Sequence, residues 1–94
     1  MTIEHIIKEK KGTILDVRTR DEFMGGHVTG SFNIPLQDIH FNINQIKSMK
    51  MPLVLCCASG GRSGQAQRFL LQHGIDCVHG GSWLDVNYFQ SQIL

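Results

Sequence analysis

The chain has 94 residues, 41% of them apolar and 18% charged, enough for one domain with a small core and too few for two. Nine Lys/Arg stand against eight Asp/Glu, for a net charge of +1, which provides no electrostatic footprint for nucleic acid or an anionic membrane. Three cysteines, with no C-x-x-C pair among them, fit neither a disulfide framework nor a structural zinc site.

Reduced thiols make the cytoplasm the expected compartment. The opening residues, Met1 to Ile7, hold an acid and no long apolar core, so they do not read as a signal peptide. No run reaches the ~18–20 apolar residues of a membrane span.

In chain order, Thr2 is placed to cap a first helix with Ile3, Ile6 and Ile7 at helical spacing. Gly12 ends it. Thr13 to Val17 reads as a short buried strand, and Arg20 to Met24 as one helical turn before Gly25 and Gly26. Ser31 to Ile34 is a weak strand stopped by Pro35. Leu36, Ile39, Ile43 and Ile46 recur at helical spacing and predict one bent helix or two short ones before Met49.

Pro52 to Cys56 is the strongest strand of the chain. A helix follows from Ser63 to His73, burying Ala66, Phe69 and Leu70 and stopped by Gly74. Asp76 to His79 is a further short strand, after which Gly80-Gly81 turns the chain into a last helix over 83–92. Strands alternating with helices predict an α/β fold with a mainly parallel sheet. In such sheets ligands sit at the carboxyl ends of the strands.

The stretch Leu53-Val-Leu-Cys-Cys-Ala-Ser-Gly-Gly-Arg-Ser-Gly64 carries the chemistry. A cysteine leaves the end of a buried strand, a short loop with Gly60 and Gly61 follows, and Arg62 and Ser63 open a helix. The glycines let successive N–H groups turn inward as an anion-binding nest. The helix start adds free N–H groups and a positive dipole end. Together they favour a thiolate, the nucleophilic form of cysteine, over a thiol. Arg62 adds a planar cation suited to oxyanions, and Ser63 is placed to cap the helix and turn its hydroxyl to the loop. Cys57 is therefore the candidate nucleophile, while Cys56 and Cys77 are expected in the core.

At these residues the chain resembles the rhodanese-like family. Four segments carry the resemblance in order. They are Leu15-Asp-Val-Arg18 with Glu22-Phe23, then Gly26-His-Val-Thr-Gly-Ser-Phe-Asn-Ile-Pro35, then Cys57-Ala-Ser-Gly-Gly-Arg-Ser63, and last Gly80-Gly81 with Trp83. The chain departs from the family pattern at Cys56, where Tyr or an apolar residue is common, at Ser31, where Ala is usual, and in the short spacing to Trp83.

The resemblance implies an α/β domain over residues 1–94 with a five-stranded, mostly parallel sheet flanked by helices. It implies sulfurtransferase chemistry of the thiosulfate type. Cys57 takes sulfane sulfur from a small sulfur-containing anion and passes it from a persulfide to cyanide or a thiol acceptor. The N–H groups of Ala58, Ser59, Gly60, Gly61, Arg62 and Ser63 cradle that sulfur. No cofactor or metal is required, and a monomer is expected.

Loop length refines this. From Cys57 to Arg62 the count is C-x4-R, as in the family's sulfurtransferases; related phosphatases and arsenate reductases use C-x5-R. Counted from Cys56 the spacing becomes C-x5-R. Leu55 stands where those phosphatases usually have His, and Ser59, Gly60, Arg62 and Ser63 align only with Cys57. A phosphatase or arsenate-reductase-like enzyme and a non-catalytic binding module are the alternatives.

Asp16 and Arg18 lie together at the end of the first strand. Asp16 is expected to tie down nearby backbone, whereas Arg18 is a candidate for organising the loop or its entrance. Glu22 is a partner for Arg18 or Arg62. His27 is expected to hold the Gly26–Gly30 turn, and Asn33 and Pro35 to shape the chain after the weak strand. His5, His40, His73 and His79 share no metal spacing and are expected at the surface or at helix ends. Met24 borders the expected pocket.

Overall fold

A computed structural model describes residues 2–93. Thr2 does cap helix α1 (Ile3–Lys8), its hydroxyl accepting from the His5 N–H at 3.1 Å. Strand β1 (Thr13–Asp16) leads to helix α2 (Arg20–Met24), which starts in a capping box between Thr19 and Glu22. The weak strand shrinks to β2 (Phe32–Asn33). The long connection after Pro35 is two short helices, a 3-10 helix (Leu36–Phe41) and α3 (Ile43–Lys47). Strand β3 (Leu53–Cys57), helix α4 (Gly61–Gln72), strand β4 (Cys77–Ser82) and helix α5 (Trp83–Ser91) complete the order.

The sheet is parallel throughout, in the order β2-β1-β3-β4. Among the described residues it has four strands, not the five that the resemblance implies. Helices occupy the long connections on either side of β3, and Pro35, with no N–H to offer a ladder, cuts β2 short.

Strand β3 is buried at all five residues, as a central parallel strand covered on both faces must be. Its pleat sorts its side chains between two cores. Leu53, Leu55 and Cys57 join Leu15, Ala66 and Leu70 on the α4 side, whereas Val54 and Cys56 join Ile6, Ile7 and Val86 on the α1 and α5 side.

Helix α1 ends at Lys8 with Glu9 as its C-cap and Lys10 at φ 55°, so Gly12 does not end it; two later boundaries also differ by two residues or more, each for a local reason. Strand β4 does not stop at His79 but runs through both glycines to Ser82, its register against β3 shifting between Leu55 and Cys56. A Cβ at Gly80 would lie 2.8 Å from the Leu55 carbonyl oxygen, so only glycine permits so close an approach there. Helix α4 begins at Gly61, two residues early, because Gly60 adopts φ 106° and serves as its N-cap. Ser63 therefore stands in the first turn and is not the cap.

Candidate active site

Strand β3 delivers both cysteines to the carboxyl edge of the sheet, and the pleat then separates them. Cys57 faces the layer that contains α4, the helix whose start closes the loop; Cys56 faces the opposite layer. The loop closes around the Cys57 sulfur and not around that of Cys56.

The donors around that sulfur are specific. Cys57 Sγ accepts from the Gly60 N–H at 2.9 Å and from the Ser63 N–H at 3.4 Å, and it lies 3.5 Å from the Ser63 hydroxyl oxygen. Ser63 is fully buried and Cys57 is 1% exposed, while Ala58, Ser59 and Gly61 are exposed and form the rim. The left-handed turn at Gly60 aims its N–H back at the sulfur.

Burial is the largest single influence on the Cys57 thiol and pushes it up. The Ser63 hydroxyl and the N–H groups of Ser63, Gly60 and Ser59 together outweigh it and hold the thiol below its ordinary range. The other two thiols go the opposite way. Burial, with the Asp16 charge second, pushes Cys56 up to about 12. Burial and Asp76 push Cys77 up to about 11. All three cysteines are free, and only Cys57 sits where a thiolate is favoured.

Arg62 reaches from the first turn of α4 to Glu22 on α2, as a two-pronged pair at 2.6 and 2.9 Å. Arg62 and then the Thr19 N–H hold the Glu22 carboxyl down to about 2. The pair ties α2 to the loop and keeps a guanidinium beside a recess of about 190 Å3 lined by Val17, Thr19, Pro35, Leu36, Gln37 and Arg62.

Arg18 is engaged elsewhere. It is 4% exposed, grips the fully buried Asp16 carboxylate through Nε and Nη2 at 2.7–3.0 Å, and donates from Nη2 to the Gly26 carbonyl at 2.7 Å. Its guanidinium lies 4.6 Å from the centre of the Trp83 ring. The structure thus brings together Cys57, Ala58, Ser59, Gly60, Gly61, Arg62 and Ser63 in one loop, and holds Arg18 in a buried link between β1, the Gly26 turn and α5.

The remaining motif residues are framework. His27 binds the Phe23 carbonyl at 2.7 Å and stacks on the Phe23 ring, so it anchors the turn to α2 and does not bridge the turn itself. Asn33 donates to the carbonyls of Asp16 and Arg18, each at 3.0 Å. Met24 is 74% exposed. His79, expected at the surface or at a helix end, instead lies half-buried within β4. Its Nε2 lies 2.7 Å from the carbonyl oxygen of Gly60, inside the loop. Its place directly before Gly80-Gly81 was the available signal, but only the pairing of β4 with β3 puts it there.

Comparison with known proteins agrees with this architecture. The family model described as "Rhodanese-like domain" matches residues 2–84. An uncharacterized protein of Bacillus subtilis, YqhL, is 40% identical over 65 residues, which cover 69% of this chain and 51% of the relative, so the chain spans about half of that protein's length. The thiosulfate sulfurtransferase GlpE of Shewanella oneidensis is 34% identical over 83 residues, covering 83% of this chain and 81% of GlpE. A crystal structure of a rhodanese-like domain protein from Staphylococcus aureus superposes with a TM-score of 0.71 at 30% identity, covering 80% of this chain and 72% of that one. With the parallel sheet, the cysteine at the end of its central strand and a family match across most of its length, this chain belongs to the rhodanese-like domain family.

Proposed function

We propose that the chain is a sulfurtransferase that carries sulfane sulfur as a persulfide on Cys57. The observation that carries this reading is the convergence of the Gly60 N–H, the Ser63 N–H and the Ser63 hydroxyl on one sulfur at the start of α4. The Cys57 thiolate attacks the outer sulfur of thiosulfate or a similar donor. A Cys57–sulfur bond forms, the donor's sulfur–sulfur bond breaks, and sulfite leaves with the electron pair. Cyanide or a thiolate then attacks the outer sulfur of the persulfide and returns Cys57 as thiolate. The N–H groups of Gly60 and Ser63, with that of Ser59, stabilise negative charge on either sulfur. Arg62 offers a cationic edge to the incoming anion.

The chain acts as one domain and as a monomer in this reading. Three free thiols suit a reducing compartment such as the cytoplasm. Among the described residues no helix is long and apolar enough to cross a membrane.

The test is intact mass after incubation with thiosulfate, for wild type, Cys57→Ala and Cys56→Ala. Wild type and Cys56→Ala should gain one sulfur that cyanide removes, and Cys57→Ala should gain none. Loading that depends on Cys56, or turnover of phosphate esters without loading, would overturn the reading.

A further inference from the structure

The Gly60 carbonyl oxygen is crowded with donors. It receives the His79 Nε2 at 2.7 Å, the Gly64 N–H at 3.0 Å and the Ser63 hydroxyl at 3.2 Å. A carbonyl has two lone pairs, and Ser63 is the most distant of the three donors. A carbonyl only accepts, so His79 Nε2 carries a proton. The imidazole also fills the space that glycine leaves open at two positions. A Cβ on Gly60 would lie 3.4 Å from its Cε1, and one on Gly64 would lie 3.6 Å from its Nε2.

Ser63 has a single hydroxyl proton and two acceptors within reach, the Gly60 carbonyl and the Cys57 sulfur. While Cys57 is a thiol, its S–H donates to the Ser63 oxygen, and the Ser63 proton goes to Gly60. Once the Cys57 proton has left to solvent, the sulfur can only accept. The Ser63 proton must then turn to the sulfur, and Gly60 must be satisfied without it.

We propose that His79 is a positioning residue for the Cys57 thiolate: by holding the Gly60 carbonyl, its Nε2–H releases the Ser63 hydroxyl to the sulfur. This rests on Cys57 being the reactive group. It extends the site beyond the loop to β4, a strand that contributes nothing else to the sulfur's donors. The Arg68 guanidinium and the imidazole both flank Gly64, each within 4 Å of where its Cβ would lie, and Arg62 is held by Glu22.

The experiment is alkylation of Cys57 by iodoacetamide across pH, followed by peptide mass, for wild type, His79→Met, His79→Gln, Ser63→Ala and the His79→Met/Ser63→Ala double variant. Losing one donor to the thiolate should raise the alkylation midpoint of His79→Met. Below the midpoint it should be slowed about three- to tenfold, the effect of one hydrogen bond. His79→Gln, whose amide can donate, should stay near wild type. Ser63→Ala should show the same loss as His79→Met, and the double variant no more than either. Wild-type reactivity in His79→Met, or a further loss in the double variant, overturns the proposal.

If His79→Met does not fold, nitrogen-15 NMR of the wild-type imidazole decides. A proton on Nε2 is expected, and an imidazole protonated on Nδ1 alone refutes the arrangement. Alkylation does not depend on sulfur transfer, so failure of thiosulfate to load Cys57 would count against the proposed function and leave this inference standing or falling on its own readout.

Discussion

Replacing Arg18 by Met should unfold much of this domain's margin while leaving the loop chemistry alone. Asp16 is fully buried, and its carboxylate receives the Arg18 backbone N–H at 2.9 Å as well as three guanidinium contacts at 2.7–3.0 Å. Removing the guanidinium leaves a buried charge without its counter-ion, which costs roughly 3–5 kcal/mol. The Trp83 ring loses a stacked cation, a further ~0.5–2 kcal/mol. Small domains have only about 5–15 kcal/mol in total, and each kcal/mol shifts Tm by roughly 4–8 °C at this size. Arg18→Met should therefore lower Tm by more than about 12 °C. The Asp16→Asn/Arg18→Met pair should recover part of that loss, because it removes both charges. Urea unfolding and thermal melting read the effect. A loss below about 1 kcal/mol would refute the buried link. A stable Arg18→Met protein with a raised KM for thiosulfate would instead return Arg18 to the entrance of the loop.

Three further outcomes follow from the same geometry. Gly12→Ala places a Cβ 1.9 Å from the Pro52 carbonyl oxygen at φ 78°, whereas Gly74→Ala has a similar φ of 73° and open space; melting should show about 1–2 kcal/mol lost at Gly74 and clearly more at Gly12. The Glu22 carboxyl is lowered from 4.5 to about 2 by Arg62, so its ionised form stabilises the fold above about pH 4.5, and that stability is lost as pH falls toward 2. Glu22→Gln, which keeps an oxygen for the Thr19 cap, should lose no more than ~0.5–1 kcal/mol at pH 7 for so exposed a pair. It should lose less in high salt and match wild type near pH 2. Cys57 should alkylate well below the pH at which Cys56 and Cys77 react in the native protein, and denaturant should abolish the difference; equal native reactivity would contradict the opposed thiol shifts.

The elements legible in the sequence are those whose signals are local. Thr2 caps α1, Gly74 follows α4, and the apolar run from Leu53 is the central strand. The loop that closes around the Cys57 sulfur was legible too, because a strand end, two glycines and an Arg-Ser helix start lie within a few residues. Arg18 and His79 were not, because their partners are set by tertiary contacts. Arg18 finds Gly26 and Trp83, which lie in separate segments, and His79 reaches Gly60 only because β4 pairs with β3. The fate of Gly80 was hidden in the same way. A Gly-Gly pair reads as a turn, but here Gly80 allows β4 to pass close to the Leu55 carbonyl.

The cysteine doublet shows how one peptide unit divides two chemistries. Cys56 and Cys57 are adjacent and almost fully inaccessible, so burial alone would make both inert. The strand's alternation sends one sulfur against Ile6, Ile7 and Val86 and the other toward the start of α4. Burial, with the Asp16 charge second, pushes the first up to about 12; the second meets four hydrogen-bond donors that outweigh burial and lower it. Spacing to Arg62 cannot separate them, since both counts occur in proteins of this fold; the pleat can. It follows that Cys57→Ala should not pass its role to Cys56, despite the neighbouring sulfur. In that variant Cys56 still faces away from the Gly60 and Ser63 donors, and mass analysis after alkylation at neutral pH should find it unmodified. Modification of Cys56 in folded Cys57→Ala, at a rate near that of Cys57 in wild type, would mean that the loop can close around either sulfur and that the strand's direction does not choose the nucleophile.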